Sequence, residues 1–510
     1  MKEIYIGVDL GCTGCKAIAI DGEARVQCTE SIRYDDSILC TGIGCYDQDP
    51  QVLLDAATEC IRKLVERVGK ESHVAALGFT GQMHGLVALD ANLKPLRPII
   101  SCLDFRNEEE NAEIYAAVGG EEGLLNYTNN RMVASCTGGK IKWMKNHERE
   151  IYERIYKIVN PKDYVRTAMS GAVVTDESDA GGFGIYDVEN RCWNRELLAK
   201  IGIEESVLPE VRGSAQVVGH VTEEYAGKLG IGTDAAVVAG AGDAIMQAVS
   251  AGAVKDGTYS FIMGSGGSMA VSLGECAYND GGKLQIYPSA VPNQWVAYVG
   301  CTAYGTAVAW LREALYKEES KAGVAQAFER MEAEAREIEA GSKGLLFYPT
   351  LLGQRNPVED PFAKGVMVGL TPAHTKAHMY RALLEGLAFG TREVYRSIER
   401  VSAPVRRLNV SGGCSASELW CQIMADVFGV PVHRLAAYSA CGALGAAKLA
   451  RGGATGMADA AALRGSFEDS EFDRVFQPNA NLRGVYDDLF AIYTRVYPAM
   501  RDTFNGLRQF

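Results

Sequence analysis

The chain lacks any apolar run near the roughly 20 residues that a membrane-crossing helix needs. From Met1-Lys2-Glu3 it passes straight into a strand pattern with no hydrophobic leader, which predicts a cytoplasmic protein with no membrane partner. A surplus of positive charge is also missing: 51 Lys and Arg stand against 64 Asp and Glu, a net charge of −13. Nucleic-acid binding needs a basic footprint, so that class of partner is excluded. Phosphate ligands are not, because local backbone N–H groups and one or two lysines suffice to hold them. Low-complexity tracts and a disordered tail are absent as well.

The 14 cysteines are many, but they lack a metal-ligand pattern. Cys12-Thr13-Gly14-Cys15 is the one CxxC, and no second CxxC or Cys/His pair completes a tetrahedral zinc site. They read as reduced small hydrophobes, although oxidation at that motif would disturb the turn that contains it. His374 and His378 stand four apart on an expected helix, but no Glu completes an HExxH motif, so they read as part of a helix face. The mixed charges from Glu329 to Glu339 read as a solvated face.

What is present is an α/β pattern in two halves. A length of 510 residues favours two large domains. A composition break around residues 252–257 divides the chain into 1–253 and 254–510. Strands are expected over 4–8, 16–20, 74–80, 86–89 and 235–239, with helices over 50–68, 108–117, 140–154 and 243–253. The second half predicts strands over 259–263, 269–273 and 408–410. Its helices are expected over 324–340, 372–401, 417–428 and 441–449, the last rich in small residues that allow close approach.

Two strand–turn–strand elements resemble each other. Asp9-Leu10-Gly11-Cys12-Thr13-Gly14-Cys15-Lys16 joins the first pair of strands, and Gly264-Ser265-Gly266-Gly267-Ser268 joins the second. Glycines let N–H groups converge and Thr or Ser adds hydroxyl donors, so such turns can cradle phosphate; a tight hairpin without a ligand is the plainer alternative. Asp243 follows Ala239-Gly240-Ala241-Gly242, where it suits either a helix N-cap or a general base. Two phosphate-holding turns and a carboxylate suggest phosphoryl transfer. The duplicated entry predicts a two-lobed α/β fold of the ribonuclease H-like, actin-like type with a central cleft.

Two longer segments carry a family resemblance. Ser135-Cys136-Thr137-Gly138-Gly139-Lys140-Ile141-Lys142-Trp143-Met144-Lys145-Asn146-His147 is similar to the N-terminal signature of the FGGY carbohydrate kinases. Gly365-Val366-Met367-Val368-Gly369-Leu370, followed by His378-Met379 and Ala382-Leu383-Leu384-Glu385, is similar to the C-terminal one. The likeness runs from Asp9 to about Leu449. Within the family, Thr80-Gly81-Gln82-Met83-His84-Gly85 and Asp104-Phe105-Arg106 resemble sugar-contacting segments of the xylulokinase branch. Asn160-Pro161-Lys162-Asp163-Tyr164 and Thr175-Asp176-Glu177-Ser178-Asp179-Ala180 follow that branch too. Departures are Cys102-Leu103 where Trp-Asn is common, Ala244 where Asn is common, and Gly353-Gln354-Arg355 in place of Gly-Glu-Arg.

The resemblance implies transfer of the γ-phosphate of ATP to the 5-hydroxyl of D-xylulose, giving xylulose 5-phosphate and ADP. Asp243 is then the general base. Gln82, Met83, His84, Asp104 and Arg106 line the sugar. Asp9 holds Mg²⁺, which favours few protein ligands and several waters. Gly11, Thr13, Gly14 and Lys16 meet the phosphates from one side, and Gly264, Ser265, Gly266 and Ser268 from the other. Gly412, Gly413 and Ser417 form the adenosine turn. Dimers are common among similar proteins, so a homodimer is among the expected states. Ribulose, gluconate, glycerol or another ketose or polyol is the alternative acceptor; a non-kinase actin-like ATPase is the alternative class.

Overall fold

A computed structural model describes residues 2–301, 303–321, 323–468 and 471–509. Packing groups the chain into two compact units. One takes Met1–Lys255, Ser272–Val296 and Ala440–Ser470; the other takes Asp256–Val271, Ala297–Ser439 and Glu471–Phe510.

The first unit is built on the strands β1 (Lys2–Leu10), β2 (Gly14–Asp21), β3 (Val26–Arg33), β4 (Ser72–Gly81), β5 (Val217–His220), β6 (Ala236–Val238) and β7 (Ala241–Gly242). Their order is β5-β6-β4-β1-β2-β3, with β7 also paired to β4. β1 is antiparallel to β2 and parallel to β4, and β6 and β7 run parallel to β4. β1 carries no charge from Ile4 to Val8 because both of its faces are covered there. Ile4, Ile6, Val8 and Leu10 pack with Leu53, Ala57, Cys60, Ile61 and Leu64 of the helix Pro50–Val68. That helix starts where expected because Asp49 accepts the Gln51 N–H and Pro50 takes the first turn.

The alternate face of β1 meets the helix Cys441–Ala454 at very close range. A Cβ on Gly7 would lie 2.0 Å from the Ala443 carbonyl oxygen, and one on Gly78 of β4 would lie 2.1 Å from that of Ala446. The small residues of this helix therefore serve backbone-to-backbone packing on the sheet.

The second unit repeats the entry. Five of the seven strands of its sheet are β8 (Tyr259–Met263), β9 (Gly267–Leu273), β10 (Leu408–Ser411), β11 (Val432–Leu435) and β12 (Phe472–Phe476). β8 is antiparallel to β9 and parallel to β10, as β1 is to β2 and β4. β11 continues parallel to β10, and β12 closes antiparallel.

Some boundaries differ from the sequence reading. The helix expected over 140–154 is Thr137–His147 and a separate turn Arg149–Tyr152, broken at Glu148, which leaves helical geometry. The helix expected over 372–401 is Lys376–Ile398, followed by a 3-10 turn. Thr375 and His378 form a capping box at its start, so His374 lies before the helix and the two histidines do not share a helix face. Among the described residues no helix is long and apolar enough to cross a membrane.

Candidate active site

Parallel strands direct their C-terminal ends to one edge of a sheet, where chain reversals leave side chains available for chemistry. In the first unit β1, β4 and β7 end together. Asp9 pairs with Thr80, Leu10 with Gly81, and Gly242 with Gly81. Asp9, Gln82-Met83-His84 and Asp243 thus leave three neighbouring strand ends side by side.

Asp243 is the first residue of the helix Asp243–Ser250, with Gly242 at the cap position. Its Oδ1 accepts the Ala244 N–H at 2.7 Å, so it keeps a cap-like contact with its own helix. Burial and the nearby Asp9 carboxylate push its carboxyl up to about 8, against backbone hydrogen bonds from Ala244 and Met83. Burial likewise raises Asp9 to about 6, with Lys16 opposing the shift. Lys16 stands opposite Asp9 across the hairpin. Two half-buried carboxylates whose proton affinities are raised by desolvation form a site that suits a divalent cation. Gly442 leaves room for Asp9, since a Cβ there would lie 2.4 Å from its Oδ2.

The turn between β1 and β2 is tight: the Gly11 N–H reaches the Gly14 oxygen at 3.0 Å, and Tyr34 Oη donates to the Gly11 oxygen at 2.7 Å. Thr13 and Lys16 are exposed. Gln82 is buried; its N–H donates to the Leu10 oxygen at 2.8 Å and its Nε2 to Gln48 Oε1 at 2.9 Å. Met83 packs against Gly242, where a Cβ would come within 2.5 Å of its Cγ. His84 holds a left-handed backbone, φ 68°. Its Nδ1 donates to the Gly182 oxygen at 2.7 Å, which leaves Nε2 as an acceptor. Burial lowers its pKa to about 4, so the ring is neutral at pH 7.

Asp104 and Arg106 join each other. Their closest N–O distance is 2.7 Å, and Asp104 also accepts the Tyr46 N–H at 2.6 Å. Arg106 reaches Asp47 at 2.7 Å and lies over the Trp143 ring. The pair is a locked, buried unit.

Sequence reasoning gave no role to two buried cations. Lys140 is fully buried and donates to three carbonyl oxygens, those of His84 at 2.9 Å, Ser101 at 2.7 Å and Ser135 at 2.8 Å. It thereby ties the His84 segment to the segment before Asp104. Burial lowers it to about 8. Lys162 is enclosed by Asp163, Asp176 and Asp179 at 2.5, 2.7 and 3.0 Å. Burial disfavours its charge, but the three carboxylates outweigh that and hold its pKa well above the lysine norm. The three aspartates alone have the spacing of a metal site, but the ammonium stands where an ion would. Asp and Lys crowded into Pro161-Lys162-Asp163 and Asp176–Asp179 were the available signal.

In the second unit the Gly264 N–H reaches the Gly266 oxygen at 3.0 Å, closing the turn. Ser265 and Gly266 are exposed at its tip, whereas Ser268 is buried one step into β9. The Gly305 N–H caps the Gly264 oxygen at 3.0 Å. Gly412 needs its left-handed φ of 91°, and a Cβ there would lie 2.6 Å from the Met263 oxygen. Next to it, Gly413 faces open space. Ser417 caps the helix Glu418–Phe428 through the Trp420 N–H and donates to Glu332 at 3.1 Å.

Residues 4–250 match the N-terminal domain of the FGGY family of carbohydrate kinases, and residues 259–452 match its C-terminal domain. A xylulose kinase from Staphylococcus epidermidis is 30% identical over 499 residues, covering 98% of this chain and 97% of its own. Two solved structures from Lactobacillus acidophilus are similar at a TM-score of 0.88. One is a ligand-bound xylulose kinase, 26% identical, covering 99% of both chains. The other is a gluconate kinase, 25% identical, covering 99% of this chain and 100% of its own. The fold is therefore the two-domain, mixed α/β fold of the actin-like ATPases that the repeated hairpin predicts. With both family domains matched in order and a relative similar along nearly the full length, the chain belongs to the FGGY family of ATP-dependent carbohydrate kinases.

Proposed function

We propose that this kinase transfers the γ-phosphate of ATP to the 5-hydroxyl of D-xylulose, with Asp243 as the general base. The observation that carries the reading is the meeting of Asp243 with Gln82-Met83-His84 at paired strand ends. A hydroxyl held there has a half-buried carboxylate beside it, which accepts a proton when ionised; burial favours its protonated form, and a divalent ion at Asp9 would favour the ionised one. Neutral His84 offers an acceptor for a sugar hydroxyl and Met83 an apolar surface for the C–H face. Asp104 and Arg106 border the sugar as a fixed pair. Asp9 would hold Mg²⁺, which when bound offsets charge on the triphosphate. Gly11, Thr13, Gly14 and Lys16, with Gly264, Ser265, Gly266 and Ser268, hold the phosphates. Gly412, Gly413 and Ser417 hold the adenosine. In this reading 1–253 is the sugar half and 254–510 the nucleotide half.

The sugar assignment draws on the xylulose kinase relatives and on the Gln82-Met83-His84 loop. The gluconate kinase of equal backbone similarity makes a sugar acid the competing acceptor. A coupled ADP-release assay with Mg-ATP against ketoses, polyols and sugar acids tests this. Turnover with D-xylulose well above all others supports the proposal. Preference for gluconate or another acceptor overturns the substrate and keeps the kinase.

A further inference from the structure

Two thiols meet beside the proposed reacting centre. Cys12 Sγ lies 3.4 Å from Cys102 Sγ, although 90 residues separate them in sequence. Cys12 belongs to the turn between β1 and β2, and Cys102 to the loop that leads into Asp104. Both sulphurs are also near Gln82 Oε1, at 3.5 and 3.4 Å. Both residues are half-buried, so a small oxidant can reach them. The other cysteine of the CxxC motif is placed differently: Cys15 is fully buried in the core under the helix Pro50–Val68, packed with Cys60.

We propose that Cys12 and Cys102 are an oxidative modification site, converted by a peroxide into an intrachain disulfide that ties the phosphate turn to the loop carrying Asp104. A disulfide requires about 2.05 Å between sulphurs, so each side moves by less than a bond length. The Cys102 thiolate attacks one peroxide oxygen, the O–O bond breaks, and the departing hydroxide takes a proton to become water, leaving a sulfenic acid on Cys102. The Cys12 sulphur then attacks the Cys102 sulphur. The S–O bond breaks, a second water leaves and the S–S bond forms. The two thiols give up two electrons and two protons, and the peroxide accepts both. The direction of attack follows the local electrostatics. The hydrogen bond from Cys12, aided by the Lys140 ammonium, holds the Cys102 thiol down at about 7, against the effect of burial.

The bond pulls the turn at residues 11–14 toward the sugar loop and removes both S–H donors from Gln82 Oε1. Misplacement of a substrate-holding element by about 1 Å lowers turnover by about 10²-fold. This consequence rests on the kinase site proposed above; formation of the bond does not.

The test uses the full chain, first fully reduced and then treated with hydrogen peroxide, quenched in acid, alkylated, digested and mapped by mass spectrometry. The expected product is a peptide joining Cys12 to Cys102 that dithiothreitol reverses. Sugar-dependent ADP release should fall about 10²-fold with oxidation and recover with reduction. In Cys12→Ser and Cys102→Ser, each compared with itself before and after peroxide, the crosslink and the change in rate should both vanish. A bond from Cys12 to Cys15, or oxidation of Cys102 to a sulfinic acid with no crosslink, overturns the proposal. A Cys12–Cys102 bond that leaves the rate unchanged overturns the effect on turnover and upholds the modification site. Failure of the kinase reading shows separately, as absence of sugar-dependent turnover in the fully reduced protein, and the mapping still decides whether the bond forms.

Discussion

The Ser178 hydroxyl accepts the Gly242 backbone N–H at 2.9 Å, one residue before Asp243. The same hydroxyl donates to Asp176 Oδ1 at 2.5 Å, and the other oxygen of Asp176 meets Lys162. Arg166 anchors the other end of this strand turn, donating to the Ala239 oxygen at 2.6 Å and to Asp163 at 2.9 Å. A buried ionic network therefore grips the short segment that aims the proposed base.

Ser178→Ala should loosen that grip without touching substrate. It leaves the buried Gly242 N–H unpaired, at about 1–3 kcal/mol of stability, while Asp176 Oδ1 keeps the Ser178 and Asp179 N–H groups. The kcat should fall by roughly tenfold or more while KM for the sugar changes little. Ser178→Thr should restore most of the rate. A variant with lower melting temperature but normal kcat would show the network to be structural only.

Asp243→Asn keeps the shape of the side chain and removes the base. Turnover should fall by about 10²–10⁴-fold. ATP binding, measured by calorimetry, should stay near the wild-type value. Loss of nucleotide binding in step with activity would count against the assignment.

The same substitution makes a prediction about pH and stability. Asp243 titrates near 8 in the folded chain, against an ordinary value of 3.8. Between those values the folded state binds the extra proton, so this group's contribution to stability is present below pH 4 and is lost as pH rises toward 8. Asparagine titrates in neither state. In metal-free buffer the melting temperature of Asp243→Asn relative to wild type should therefore rise from pH 5 to pH 8.5. A difference that stays flat across this range would refute the raised pKa.

Much of this site was legible in the sequence, and the reasons are physical. The glycine turns announce themselves as clusters of small residues between two apolar runs, and Pro50–Val68 is bounded by its own cap and proline. Asp243 stood out because a carboxylate after Gly-Ala-Gly has few roles. Long-range pairings were less visible. Nothing local in Pro161-Lys162-Asp163 says that Lys162 will be enclosed by Asp176 and Asp179, and the Cys12–Cys102 contact depends on tertiary packing. The helix through residue 154 was over-extended because its polar pattern continues past Glu148, where the backbone turns away.

Lys140 supplies another test. Its ammonium satisfies the His84, Ser101 and Ser135 oxygens at once. Lys140→Met matches its length but leaves those oxygens without their donor, at about 3 kcal/mol or more of stability. KM for the sugar should rise, because the His84 and Asp104 segments lose their common tether. Denaturant melts and initial rates on the soluble variant measure the two effects separately. Unchanged stability would mean that water replaces the ammonium and that the tether is dispensable.

Gly442 sits where the helix Cys441–Ala454 passes Asp9, and it distinguishes a local effect from loss of fold. A Cβ at this position would lie 2.4 Å from Asp9 Oδ2 and 2.9 Å from its Cγ, so the carboxylate has to turn away. The helix itself favours alanine over glycine by up to about 1 kcal/mol. Gly442→Ala should therefore stay folded while needing more Mg²⁺ for half-maximal turnover. Gly7→Ala places its Cβ 2.0 Å from the Ala443 oxygen and 2.3 Å from the Ala447 nitrogen, where backbone on both sides blocks relief. That variant should lose about 3 kcal/mol or more and fold poorly. Magnesium titrations of initial rate, with circular dichroism as the check on folding, separate the two. A folded Gly442→Ala enzyme with an unaltered magnesium requirement would remove Asp9 from the metal site.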